Sequence, residues 1–298
     1  MSKPGANQRG IIALITATAA FTVNDATVKL MTRALPPGEI IFIRGMMTVI
    51  CLSLALALTG QLGKITTTFN RWIVFRSCLD ACATALFVTA LVRVGLAELL
   101  SMVLASPLIL TALSVILFKE VVGWRRWTAI AVGLMGTLFI VKPAPGSFEV
   151  WTLLGLASAF ASATRDLITH RLDPKIPTLA IGVAGCFAVM TAGGLIGIGE
   201  HWRMPTNTEF LLLAGASVFF SIGMYLLVFA FRGVELSVVS PFRYTLLLWG
   251  VIAGYVILGE VPDAWSFVGA AIIVGSGIYT LHREAVRRRN LTGDIPPQ

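Results

Sequence analysis

The chain repeats itself in apolar blocks, and that repeat constrains the fold more than any other feature. Residues 90–121 lie over residues 230–261 without a gap at a spacing of 140, with Ala90/Ala230, Val94/Val234, Glu120/Glu260 and Val121/Val261 identical. A second stretch repeats at 141, placing Asp25 on Asp166 and Pro36 on Pro177. Each copy carries five long apolar segments, and five is odd. The second copy must therefore cross a bilayer in the sense opposite to the first. That pattern points to an inverted-repeat transporter with its substrate site between the halves.

The ten segments run over 10–32, 39–59, 71–91, 96–117 and 126–141, then 151–171, 178–198, 209–230, 236–258 and 264–282. Each is long enough to cross about 30 Å of hydrocarbon as a helix. They are apolar without strand-like alternation, which argues for helices over a barrel. A chain that is 56% hydrophobic and 13% charged, with mean hydropathy +0.85, has no water-soluble way to hide its apolar surface. The expected fold class is therefore an all-α membrane protein of ten transmembrane helices in two inverted five-helix repeats. The first repeat takes residues 1–143 and the second 144–284. Residues 285–298 form a basic, polar tail with the composition of a disordered segment. The first segment is too long for a signal-peptide core and lacks a small-x-small cleavage site, so it counts as a helix.

The net charge of +8 belongs to topology rather than to nucleic acid. With the N-terminus in the cytoplasm, the inner side collects Lys3, Arg9, Lys64, Arg71, Lys119, Arg125, Arg126, Arg171, Lys175, Arg232, Arg283, Arg287, Arg288 and Arg289, whereas the outer side keeps Arg33, Arg93, Lys142 and Arg203. The positive-inside rule then puts both termini in the cytoplasm. Cys51, Cys78, Cys82 and Cys186 lie within spans at no zinc-like spacing from histidine, so they read as small apolar fillers, with no metal and no cofactor expected.

Ionisable residues inside spans are costly and mark function. Here they are Asp25, Lys29, Arg44, Arg76, Asp80, Glu98, Arg165, Asp166 and Arg243. Asp25 and Arg44 sit at similar depth on helices joined by a short turn, which makes a direct ion pair natural. That pair is either a permanent clamp or an outer gate, with Lys29 one turn further out. Arg76 and Asp80 stand one turn apart on the third helix and, with Asp166 and Arg243, form a comparable inner set. Arg44 has no charged repeat mate, because the equivalent residue is Gly185; Arg243 aligns with Val103. Glu98 reads as interfacial, and Arg165 either joins the inner set or reaches the cytoplasmic surface.

Pro107 and Pro241 interrupt spans and free backbone carbonyls that protein or a cavity must satisfy. Near Pro241, Arg243, Tyr244 and Trp249 with Tyr225 form a candidate substrate wall. Arg243 either meets an anionic solute there or pairs with Asp166 or Asp80. Gly250 and Gly254 have GxxxG spacing and read as a close helix contact. No phosphate-binding glycine loop follows a strand, and no nucleophile stands at a readable spacing from a base, so neither an ATP site nor an enzyme is expected.

The blocks FKEVVGWRRW (118–127), PFRYT (241–245), GYVILGEVPDAW (254–265) and GAAIIVGSGIY (269–279) resemble the drug/metabolite transporter superfamily, EamA-type permeases. The resemblance covers residues 10–284. It implies a ten-helix carrier of small metabolites, with helices one to four and six to nine around a central cavity and helices five and ten at the periphery. Glu120 and Glu260 match the glutamates that close the fourth and ninth helices in similar proteins, where each ties a helix end to the next turn. Members of the family move amino acids, nucleotide-like and vitamin-like compounds.

Together these readings give a secondary transporter in the bacterial inner membrane that works by alternating access on a small-molecule substrate, an amino acid or another anionic or zwitterionic solute. Its partners are that solute and the lipid bilayer, with no nucleic acid; a homodimer is left open. A membrane-embedded enzyme, a lipid-handling protein and a passive channel are the rival classes.

Overall fold

The computed structural model describes residues 4–106, 150–173, 175–231, 242–243 and 245–260, with scattered residues between 109 and 135 and between 264 and 279. Apart from those scattered residues, the expected fifth and tenth helices, the fourth beyond residue 106, the start of the ninth and the tail lie outside the described residues. So do Pro107, Glu120, Pro241 and Tyr244.

Among the described residues the regular elements are helices. They are α1 (Pro4–Met31), α2 (Pro37–Leu58), a 3-10 segment (Leu62–Phe69), α3 (Arg71–Leu91), α4 (Leu96–Val103), α5 (Val150–Arg171), α6 (Thr178–Ile196), α7 (Asn207–Phe231) and α8 (Thr245–Ala253). The last runs on into a π turn, Gly254–Leu258. Their ends follow local chemistry. Pro36 and Pro177 are extended residues before α2 and α6, at φ −70° and −62°, so the repeated proline does the same work in both halves. The Asn70 side chain accepts the Trp72 amide at 2.9 Å and starts α3. Gly259, at φ 68°, ends the π turn in the left-handed region that a glycine tolerates.

Five described helices are long and apolar enough to cross a membrane: Gln8–Met31, Pro37–Leu58, Arg71–Leu91, Thr178–Gly199 and Asn207–Leu227. α5 is equally long, but Arg165, Asp166 and Arg171 crowd its last turns and lower its hydropathy. The outward faces stay apolar: Met46, Ile50 and Leu54 along α2, and Val218, Ile222 and Phe229 along α7, are all exposed. That is the arrangement of a multi-pass protein bathed in lipid.

First-half helices pack on second-half helices, and the pairings survive exchange of the halves. α1 against α7 matches α5 against α3; α1 against α8 matches α5 against α4; α2 against α7 matches α6 against α3. The pairs α2–α6 and α4–α8 map onto themselves. The largest apolar core joins α2, α3, α4 and α8 through residues such as Ile40, Ile41, Leu91, Leu96, Leu99 and Leu246. At one end of the bundle the α1–α2 turn meets the C-terminus of α6, and at the other the start of α3 meets the α5–α6 turn through Ile73, Ile176 and Ile181. Trp202 closes the first end. Its indole lies on Gly197, where no β-carbon would fit, and 5.3 Å from the Phe42 ring.

Candidate functional site

Near the α5–α6 end, five ionisable side chains join into one run of alternating sign. Arg76 Nη1 donates to Asp80 Oδ2 at 3.1 Å, and Arg165 Nη1 donates to Asp80 Oδ1 at 2.7 Å. Arg165 Nη2 reaches Asp166 Oδ1 at 2.9 Å, and Arg243 Nη1 reaches Asp166 Oδ2 at 3.0 Å. The run ties α3 of the first half to α5 and the residues before α8 in the second. Arg76 also donates through Nε to Thr169 Oγ1 at 3.2 Å. At a rise of about 1.5 Å per residue, Asp80 lies roughly 13 Å into its helix. Charges at such depth persist because each carboxylate takes two guanidinium partners. Gly185 makes room for the run: a β-carbon there would stand 2.6 Å from Arg76 Nη1 and 2.7 Å from Asp80 Oδ2.

Nearer the α1–α2 end the charges are fewer. Asp25 lies six residues from the end of α1 and Arg44 seven residues into α2, so both sit about 9–10 Å from their helix ends. The expected direct Asp25–Arg44 pair is not formed. Asn24 stands between them, its Nδ2 donating to Asp25 Oδ1 at 2.8 Å and its Oδ1 accepting from Arg44 Nη1 at 3.4 Å. Residues 24 and 25 differ by about 100° around the helix, and it is the asparagine that faces α2. The Arg44 guanidinium lies over the Phe220 ring, 4.7 Å from its centre, and Phe220 meets Phe21 edge-on at 5.5 Å. Arg44 is buried, and its Nε has no hydrogen-bond partner among the described residues.

A separate latch holds the α1–α2 end. Lys29 Nζ donates to the Leu91 and Val94 carbonyls where α3 ends, and lies 3.8 Å from Glu260 Oε1. Glu260 Oε2 accepts the Leu96 amide at 2.8 Å, capping α4. Glu260, expected to tie a helix end to the next turn, does so at the start of α4. It crosses to the opposite half and satisfies an orphan amide at a helix N-terminus, where a carboxylate is favoured. Glu200 does similar work for α2, both its oxygens accepting the Gly38 amide at 3.0 and 3.1 Å.

The expected substrate wall is only partly assembled. Arg243 is not the lone guanidinium of that reading, because it pairs with Asp166. Tyr225 is turned away from the charged run: it is 48% exposed on the outward stripe of α7 and stacks on Phe229 at 6.5 Å. Between its first turn and its end α7 carries few polar residues besides Ser217 and Ser221, so its sequence says little about which face meets lipid, and that is why the placement differs. Trp249 is partly buried, and its indole N–H has no hydrogen-bond partner among the described residues; Tyr244 lies outside them. Arg165, left between two roles by sequence, is the centre of the run. Sequence reasoning passed over Asn24, Thr169 and Phe220. Asn24 could have been found as the repeat mate of Arg165, since it is 1% exposed and adjoins the duplicated aspartate. Cys186 is buried, Cys78 and Cys82 are exposed, and all are free thiols. Among the described residues no His, Cys, Asp and Glu cluster could hold a metal ion.

Comparison with known proteins gives the same architecture. The sequence profile described as EamA-like transporter family matches residues 8–142 and 149–281. The riboflavin transporter of Vibrio cholerae is 26% identical over 285 residues, covering 94% of this chain and 95% of that protein. The pseudopaline exporter CntI of Pseudomonas aeruginosa is 25% identical over 270 residues, covering 89% and 93%. An S-adenosylmethionine uptake transporter of Rickettsia bellii is 30% identical over 179 residues, covering 60% of this chain and 61% of that protein. A solved structure titled "Crystal structure of protein" aligns with a TM-score of 0.66 at 17% identity, covering 93% of this chain and 98% of that one; at that identity it bears on the fold alone.

Proposed function

Because the chain belongs to the EamA-like transporter family, we propose that it is a secondary carrier working by alternating access on a small anionic or zwitterionic solute. It has ten helices in two inverted repeats, residues 1–143 and 144–284, followed by the tail 285–298. Both termini are cytoplasmic in an inner membrane, so the α5–α6 end faces the cytoplasm and the α1–α2 end faces outward. The run Arg76–Asp80–Arg165–Asp166–Arg243 carries this reading, since it spans the two halves at the cytoplasmic end. In this arrangement the inner mouth is closed by charges that must part for it to open. The outer mouth is held by the Lys29–Glu260 latch. The solutes named for the relatives differ from one another, so the class of solute is taken from the charges.

Buried ion pairs suit a gate. Breaking one costs several kcal/mol unless the partners find new contacts, which gives two discrete states and few between. The test is a thermal-shift screen of purified protein against bacterial metabolites, followed by counterflow of each hit in proteoliposomes. Saturable flux accelerated by unlabelled solute on the far side is the expected result. Flux that rises linearly with concentration and ignores competitors would make the protein a channel.

A further inference from the structure

The two halves treat one guanidinium in opposite ways. The ends of α3 and α7, Leu91 and Phe231, are repeat mates at the spacing of 140. The same spacing sets Asp80 against Phe220, while the spacing of 141 sets Asn24 against Arg165, Asp25 against Asp166 and Arg44 against Gly185. At the inner end, Arg76 lies over Gly185 and receives the Asp80 carboxylate at 3.1 Å. At the outer end Arg44 supplies the guanidinium, and where Asp80 would answer it there is the Phe220 ring, 4.7 Å away. The outer set is therefore the inner set with one carboxylate removed, with Asn24 in place of Arg165 and with Val103 in place of Arg243.

Arg44 is 3% exposed and has one side-chain hydrogen bond among the described residues, the 3.4 Å contact to Asn24. Its Nε has none. A guanidinium offers five donors, and an apolar ring orients it without accepting any of them. Asp25 is half-buried, and its carboxylate is held by Asn24 through Oδ1. Asn24 thus keeps a positive and a negative pole apart that would otherwise collapse onto each other. Charge selects what can enter between them. A bare monoanion would leave a net negative charge within the membrane, and a phosphate dianion a larger one. A zwitterion adds none.

Resting on the carrier reading above, we infer that Arg44, Asn24 and Asp25 form the head-group site for a zwitterionic solute. The solute's carboxylate pairs with the Arg44 guanidinium as Asp80 pairs with Arg76, at donors that Phe220 leaves unbonded, and its cationic nitrogen faces Asp25. Arg44 is then a binding residue kept short of partners until solute arrives, rather than a clamp.

The experiment compares melting temperatures of the purified full chain, empty and with a panel of zwitterionic metabolites, each beside its carboxamide. Arg44→Met removes a buried charge that no carboxylate touches, so the empty variant should melt about 2–4 °C higher than wild type, whereas Arg76→Met should melt lower. Zwitterions should stabilise wild type, their carboxamides should not, and both Arg44→Met and Phe220→Asp should lose the response. Phe220→Asp supplies the missing carboxylate and so tests the site without touching Arg44. The inference is overturned if Arg44→Met melts lower as Arg76→Met does, if carboxamides stabilise equally, or if no zwitterion in the panel stabilises wild type. A zwitterion that binds with this pattern yet is never moved in proteoliposomes would sink the carrier reading and leave the head-group site standing. Zwitterion flux indifferent to both variants would do the reverse.

Discussion

A residue without a side chain organises the inner charges. Gly185 leaves open the space in which Arg76 and Asp80 meet, and Gly185→Ala would put a β-carbon 2.6 Å from one and 2.7 Å from the other. Overpacking of this kind costs about 1–3 kcal/mol. The variant should melt lower in detergent and lose transport; an unchanged melting temperature would mean that the pair yields freely. Asp80→Asn goes further, because it strands Arg76, whose side chain is 4% exposed, and leaves Arg165 with Asp166 as its remaining carboxylate. A loss of about 3–5 kcal/mol is expected, larger than for Asp25→Asn, and equal losses would show that the run is not cooperative. The ionisable members of this run were all legible in the sequence, because charge inside an apolar span stands out. Their pairing was only half legible. Arg76 with Asp80 follows from one turn of helix, but the choice of Asn24 over Asp25 as the neighbour of Arg44 depends on helix rotation, which flanking apolar residues do not set.

At the scale of elements, spans were easier to read than faces or partners. The expected 71–91 helix coincides with α3, since Asn70 caps one end and a turn follows the other. α2 begins at Pro37, two residues earlier than expected, because a proline at the first helical position already has a helical φ. The partner of Glu260 was out of reach: Leu96 is 164 residues away, and no local pattern names a helix end in the other repeat. That capping can be tested. Glu260→Ala removes both the acceptor of the Leu96 amide and the carboxylate beside Lys29, at a cost of about 1–2 kcal/mol. Glu260→Gln keeps an acceptor and should lose less. Hydrogen exchange over residues 96–104 should quicken in the Ala variant and change little in the Gln variant. Equal protection in both would remove Glu260 from the capping of α4.

For the whole molecule, the inverted repeat makes a topological prediction. Reporter fusions after Gln298 and at Gly146 should report cytoplasm and exterior respectively, as the positive-inside count requires; both on one side would refute it. The inner run has one further property, which is arithmetic. It alternates three guanidiniums with two carboxylates, beginning and ending on a guanidinium. Cut such a run at any single link and one piece is neutral while the other keeps one positive charge. The link that joins the halves is Asp80–Arg165, so parting there in the proposed carrier leaves the neutral Arg76–Asp80 pair on one half and one uncompensated positive charge on the other. If that charge shifts through a third of a 100 mV field, it feels about 0.8 kcal/mol. The empty carrier would then hold a small voltmeter at the α5–α6 end, deflected by the parity of its charges rather than by any dedicated sensor.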